Sequence, residues 1–216
     1  MDIQWSYTIT VIPTILNGLK NTLIIAILGI LLGFLLGLLA GIARAGKKKV
    51  AYKIAGLYVG LIRGTPLMVQ ALYIYFAIPT IMHFDLNAMT AGILAIGLNS
   101  GAYISEVVRG AIQSIDVGQN EAGICLGLSK FQISTSIIFP QALKIMLPGL
   151  GNQFIISVKD TSLLTAIGVA EMTHQASRAV TTTFRTVETY TALAIVYLVL
   201  CTSLSFILKK MEGRMK

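Results

Sequence analysis

Residues 116–140 read DVGQNEAGICLGLSKFQISTSIIFP, a polar stretch set between two long apolar ones. Asp116 with Gln119 three residues on has the spacing of a capping box, which starts a helix. Gly127 suits the C′ position that ends it, because glycine tolerates a positive φ. Ser129 with Gln132 repeats the box and starts a second helix. A chain that only had to cross a bilayer would need no such helix–glycine–helix element. The stretch predicts a knob that protrudes and docks on something else.

Composition supplies the setting. The chain has 216 residues, 55% hydrophobic and 12% charged, with a mean hydropathy of +0.78. A soluble domain carries about a quarter charged residues, so an integral membrane protein is expected, with no room for a large soluble domain beside its spans. The net charge of +8 does not point to nucleic acid, because the cations cluster beside apolar runs, as topology signals do. Cys125 and Cys201 lack CxxC or metal-ligand spacing, and His83 and His174 belong to no cluster. No metal site is expected. The first apolar run is too long for a signal peptide and lacks a basic leader.

Five spans are predicted, at about residues 18–43, 51–82, 86–108, 133–158 and 190–208, each near the ~20 residues a helix needs to cross the hydrocarbon. The second is broken near Arg63-Gly-Thr-Pro66, where Thr65 fits an N-cap and Pro66 fits N1. Such a break belongs either at the interface or at membrane depth in a protein-lined cavity. The fourth is interrupted by Pro140 and Pro148. Arg44, Lys47, Lys48, Lys49 and Lys53 follow the first span, and Lys209, Lys210, Arg214 and Lys216 follow the fifth. The positive-inside rule then places the N-terminus outside and the C-terminus in the cytoplasm. The 116–140 element falls on the cytoplasmic side, and the 171–189 connection falls outside. Gly29, Gly33, Gly37 and Gly41 form a small-residue stripe, suited to a subunit interface or to close packing within one chain.

Polar residues inside the spans need a reason, since a charge at the bilayer centre costs about 2.5–3.5 kcal/mol on insertion scales. Asn99, Tyr103, Glu106 and Gly110 share one face of the third span, Asn152 and Lys159 one face of the fourth, and Pro66, Gln70 and Tyr73 one face of the second. Asp160, Thr161 and Ser162 follow Lys159. Three polar stripes can line one aqueous pathway; alternatively Glu106 pairs with Arg109, or Lys159 with Asp160, only to hold helices together. The segment 41–47, GIARAGK, resembles the start of a P-loop, but position 48 is Lys where Ser or Thr must reach Mg²⁺, and it follows an apolar helix rather than a strand. No ATPase site of its own is expected. No nucleophile–base or HExxH arrangement is present, so the chain is not expected to be an enzyme.

Glu121-Ala-Gly-x-x-x-Gly127, followed after nine residues by Ile137-x-Phe-Pro140, resembles the EAA loop of ATP-binding-cassette importer permeases, with Gly123 for the second Ala and Phe139 for Leu. Arg63-Gly-Thr-Pro-Leu-Met-Val-Gln70, Tyr103 through Glu106 to Arg109-Gly-Ala-Ile-Gln113, Gly118-Gln119, Pro140-Gln-Ala142, Leu147-Pro148, Asn152 and Lys159-Asp-Thr-Ser-Leu163 extend the resemblance over most of the chain, to the polar amino acid (His/Glu/Gln/Arg/opine) subfamily.

That resemblance implies an all-α type I importer permease, one transmembrane domain over 1–216 with a cytoplasmic coupling loop at about 111–135, in the bacterial plasma membrane. It implies two permease subunits, identical or related, around the pathway. It further implies ATPase subunits that bind ATP and Mg, and an extracytoplasmic amino-acid-binding protein. Gln119, Glu121, Ala122, Gly123 and Gly127 would dock on the ATPase. Some members hold an amino acid among polar residues of spans two to four, which carries over to Asn99, Tyr103, Glu106, Lys159 and Ser162, beside the Gln70 stripe. Glu106 would attract an ammonium and Lys159 a carboxylate. The alternative is a secondary transporter driven by an ion gradient, which such folds commonly build from internal repeats; none is evident here.

Overall fold

The computed structural model describes residues 3–46 and 48–215, with the backbone alone of Glu212, Arg214 and Met215. Lys47 and Lys216, both used in the charge pattern, lie outside those residues. Nine helices follow in order among the described residues: α1 (Trp5–Leu16), α2 (Leu19–Ala45), α3 (Lys49–Arg63), α4 (Leu67–Met82), α5 (Ala88–Gln113), α6 (Val117–Cys125), α7 (Lys130–Ile167), α8 (Met172–Thr183) and α9 (Thr186–Met215). Helices α2, α5, α7 and α9 are each long and apolar enough to cross a membrane, and α3 with α4 passes the same test only as a pair, bent by 102° at the break. Four of the five predicted spans stand as single helices, and the second stands as this broken pair.

The central element is α5, whose N-terminal half packs with Ile25 of α2, Ala71 and Ile74 of α4 and Leu164 of α7. Its C-terminal half packs Ile104 and Val108 against Ala142 and Met146 of α7. The glycine stripe of α2 explains how close α5 comes. A Cβ on Gly29 would lie 2.5 Å from Ile96 Cγ2, and one on Gly37 would lie 2.6 Å from Ile104 Cβ. Gly33 and Gly41 meet Ser100 and Val108 in the same way. Of the two expectations for this stripe, packing within one chain is the one realised. The exposed face of α2 carries Leu28, Leu31, Leu35 and Leu39, a surface suited to lipid tails.

The prolines of α7 do not interrupt it, which corrects the sequence expectation. Pro140 can offer no N–H to the carbonyl four residues back. A π-helical segment, Ile133–Ile138, immediately precedes it and shifts the hydrogen-bond register by one residue. Pro79 in α4 follows a π segment at Tyr73–Ala77 in the same manner. Pro148 sits inside the helical run.

Helix α1 is new relative to the sequence reading. Its 12 residues span about 18 Å, too short to cross a bilayer. Thr8, Val11 and Ile15 are buried, the two apolar ones in a cluster with Met172 and Ala176 of α8 and Ala192 of α9.

Candidate functional site

The break between α3 and α4 is held by one side chain. Gln70 Nε2 donates to the carbonyl oxygens of Ile62 (2.7 Å) and Thr65 (3.0 Å) and to Thr65 Oγ1 (2.9 Å). Gln70 Oε1 accepts from Asn99 Nδ2 at 3.2 Å, which ties the break to α5. The N-cap of α4 is Pro66, with extended backbone, not Thr65 as the sequence suggested. The Thr65 hydroxyl instead turns back onto the Leu61 carbonyl at 3.0 Å, so its hydrogen atom closes α3 rather than opening α4. Gln70 and Asn99 are both more than nine-tenths buried, and the one hydrogen bond between them gives each amide a partner.

A cleft of about 360 Å³ opens beside this junction, lined by Thr65, Pro66, Leu67, Asn99, Tyr103, Gln153, Ile156 and Asp160. It thus gathers residues from α4, α5 and α7. Of the residues singled out in the sequence as pathway-lining, Pro66, Asn99 and Tyr103 are in its wall. Gln70 stands behind Asn99. Glu106 sits one turn along α5 from Tyr103, outside the lining. Ser162 is half-buried in the 3₁₀ turn Thr161–Ile167 that ends α7, and Lys159 is exposed.

Gln153 is the polar cleft residue that sequence reading passed over, and Asp160 it named only as a neighbour or ion-pair partner of Lys159. Gln153, Ile156 and Asp160 are spaced i, i+3, i+7 and share one face of α7. Asn152 and Lys159 share the next face, about 100° around, and both are exposed. The spacing of seven was visible for either pair, and only packing separates them.

Glu106 is surrounded by cations. Its Oε1 accepts from Arg44 of α2 and lies 3.5 Å from Arg63 Nη1 of α3. Its Oε2 accepts from Arg109 Nε at 3.0 Å and Nη2 at 2.7 Å. The local Glu106–Arg109 pair is formed, and two further arginines join it. The Arg63 guanidinium also stacks 5.0 Å above the Tyr103 ring centroid, a cation–π distance. Three helices therefore meet on one carboxylate at the edge of the cleft.

Helix α6 follows the same, C-terminal end of α5. The Asp116 carboxylate accepts from Gly118 N–H at 2.6 Å, while the Gln119 N–H goes to the Asp116 carbonyl. Asp116 therefore caps through an Asx turn and not through the expected reciprocal box. At Ser129 the box is complete, with Gln132 N–H to Ser129 Oγ at 3.3 Å and Ser129 N–H to Gln132 Oε1 at 2.9 Å. Gly127 has φ +73°. Leu128 N–H reaches the Gly123 carbonyl (3.0 Å) and Gly127 N–H the Ile124 carbonyl (2.9 Å), the two bonds of a Schellman cap. Gly123 is buried against Ile133, whose Cγ1 lies 2.7 Å from where a Cβ would be. Gln119, Glu121 and Ala122 are exposed. Val117, Ile124, Leu126 and Phe131 present large apolar side chains beside them, 58–77% exposed. Among the described residues, no group of three His, Cys, Asp or Glu side chains is placed to hold a metal ion.

Comparison with known proteins adds a family and a fold. The sequence model described as "Binding-protein-dependent transport system inner membrane component" matches residues 33–216. The glutamine transport system permease protein GlnP of Escherichia coli (strain K12) is 46% identical, over 100% of this chain and 99% of its own. The arginine transport system permease protein ArtQ of Bacillus subtilis (strain 168) is 33% identical, again over 100% and 99%. The crystal structure of an amino acid ABC transporter with histidines superposes with a TM-score of 0.91 at 36% identity, covering 99% of this chain and 100% of that one. A subunit of the MetNI methionine ABC transporter shares the fold at 17% identity, with a TM-score of 0.81 over 96% of this chain and 98% of its own.

Proposed function

This chain belongs to the family of binding-protein-dependent transport system inner membrane components, the permeases of ATP-binding-cassette importers, and on that premise we propose that it carries a polar amino acid of the glutamine type into the cell. It is a multi-pass protein of the bacterial inner membrane, and an importer permease rather than an ion-gradient-driven transporter. The family implies an ATPase and a substrate-binding protein as partners.

The observation that supports the substrate class is the cleft between α4, α5 and α7. It joins two amide side chains, Asn99 and Gln153, with the Asp160 carboxylate and an aromatic wall at Tyr103, and Arg63 stands over that wall. A zwitterion fits these groups: its ammonium at Asp160, its carboxylate at Arg63, and a side-chain amide at Asn99 and Gln153, which offer both donors and acceptors. Lys159 and Asn152 stay exposed on a span. Lipid would not solvate them, whereas a second permease subunit, a copy or a relative, would enclose them in a shared pathway. Lys159 then faces that pathway and draws the substrate carboxylate inward.

Helix α6 is read as the element that docks on the ATPase. It lies on the side of the membrane to which the charge pattern assigns the cytoplasm, and it is short, capped at both ends and exposes Val117 and Ile124 beside Gln119 and Glu121. Gln119, Glu121 and Ala122 form the contact, with Gly123 and Gly127 setting its angle. ATP and Mg are held by the partner.

The test is to purify the permease with its ATPase and binding protein and to measure ATP hydrolysis in lipid against a panel of amino acids. Glutamine is expected to stimulate it most. Stimulation by a purely apolar amino acid alone would overturn the substrate class. Gly127→Pro is expected to leave insertion intact and uncouple hydrolysis from uptake, because proline can neither adopt φ +73° nor donate to Ile124. Transport at the wild-type rate would refute the role given to α6.

A further inference from the structure

We propose that Glu106 is a positioning residue, which holds the Arg63 guanidinium at the rim of the cleft and does not itself contact the transported amino acid. The proposal rests on the reading of the cleft as an amino-acid site.

The cations gathered on the carboxylate exclude direct contact. One oxygen of Glu106 accepts a hydrogen bond from Arg44 and has Arg63 Nη1 at 3.5 Å, and the other accepts two N–H groups of Arg109. Of the about four acceptor positions that a carboxylate offers, three are filled and the fourth faces the Arg63 guanidinium. Any cation approaching it would also meet three arginines, whose charge exceeds that of the single carboxylate. The group as a whole favours an anion.

The three arginines are not equivalent. The Arg44 side chain is 15% exposed and that of Arg109 33%, and both make short contacts to Glu106. Arg109 is further committed to Gln113 Oε1, at 2.6 Å. Arg63 is 43% exposed, and its link to Glu106 is the longest of the set, at 3.5 Å. It is also the arginine that stacks on Tyr103, a residue of the cleft wall. Arg63 therefore keeps N–H donors free beside the cleft, whereas Arg109 is committed to Glu106 and Gln113 and the spare Nε of Arg44 is buried. The opposing pulls on Arg63 follow from its neighbours. Glu106 attracts it, whereas Arg44 and Arg109, gathered on the same carboxylate, repel it. With Glu106 neutralised only repulsion remains, and a side chain on the last turn of α3, next to a 102° break, has room to swing away. The substrate carboxylate then loses its partner even though every cleft residue is unchanged.

A double-mutant cycle separates this role from the others. The permease–ATPase complex is placed in lipid nanodiscs, and equilibrium binding of radiolabelled glutamine is measured for wild type, Arg63→Gln, Glu106→Gln and the double variant, with thermal unfolding recorded for each. Each single change is expected to weaken binding on the order of tenfold. The double variant is expected to bind no worse than Arg63→Gln, because Glu106 has nothing left to position. Losses that multiply would show Glu106 acting independently of Arg63 and overturn the proposal. So would a Glu106→Gln protein that loses thermal stability but keeps its affinity. If Arg63→Gln binds like wild type, the cleft reading itself fails, and this proposal with it. Glu106→Asp keeps the charge on a shorter stem and is expected to bind between wild type and Glu106→Gln. Should Glu106→Gln not assemble, the cycle is closed with Glu106→Asp, with the same criterion.

Discussion

Glu171 has no exposed surface and yet leaves no lone pair idle. Its carboxylate accepts from Thr173 N–H (2.8 Å), His174 N–H (2.7 Å), Thr165 Oγ1 (2.7 Å) and Tyr197 Oη (3.0 Å). Two of these donors are the second and third amides of α8, at the positive end of its helix dipole. The other two come from the end of α7 and from α9, so one side chain joins three elements. A Gly18 Cβ would fall 2.4 Å from the Glu171 backbone, which shows how tightly α2 enters the same corner. Glu171→Ala strands four donors and is expected to lower stability by about 3 kcal/mol, read as a fall in the melting temperature of the purified protein in detergent. Glu171→Gln, which keeps the shape and one acceptor, should lose less. A melting temperature unchanged by the alanine variant would refute this accounting. Sequence placed Glu171 only at the start of an outer connection. Its N-cap role was legible in principle from two neighbouring residues, but Tyr197 lies 26 positions away.

Among the elements, α2 and α5 show how glycine placement becomes a packing distance. The stripe at residues 29, 33, 37 and 41 was legible from its four-residue period. Its partner was not, because any helix with small residues would serve. Gly97 and Gly101 of α5 answer it, leaving room for Leu32, Leu36 and the Tyr58 hydroxyl. That hydroxyl donates to the Leu98 carbonyl at 2.7 Å and pins α3 alongside. Gly37→Ala drives a Cβ against Ile104 Cβ and the Gly101 carbonyl, atoms with no freedom to yield. A loss of about 1–3 kcal/mol is expected, measurable as a lower melting temperature and a smaller yield of assembled complex. Gly60→Ala in α3 meets nothing within 4 Å in this chain and should be neutral or slightly stabilising by helix propensity; a marked loss there would reveal a neighbouring chain. In α6 and the turn after it, the expectations at Gly127 and Ser129 were met because caps depend on residues within about five positions. At Asp116 the shorter Asx turn displaced the box.

For the whole molecule, five spans and the charge pattern assign α6 to the cytoplasm, and Cys125 makes that testable. Cys125 is exposed at the end of α6, whereas Cys201 is half-buried within α9. A membrane-impermeant maleimide should label Cys125 in inside-out vesicles and not in right-side-out ones; the reverse pattern would invert the topology. The sequence by itself determined the length and number of the apolar runs, the break at Arg63–Pro66 and the capped pair that follows α5. Each depends on hydropathy over about 20 residues or on hydrogen bonds to near neighbours. Only the tertiary structure decided which face of α7 enters the cleft, which arginines converge on Glu106, and that the glycine stripe is used within the chain. Those outcomes turn on the rotation of each helix about its axis. A shift of one residue is 100°, enough to exchange Gln153 and Asp160 for Asn152 and Lys159. That rotation is set by contacts between residues far apart in sequence, such as Arg44 with Glu106 and Gly29 with Ile96.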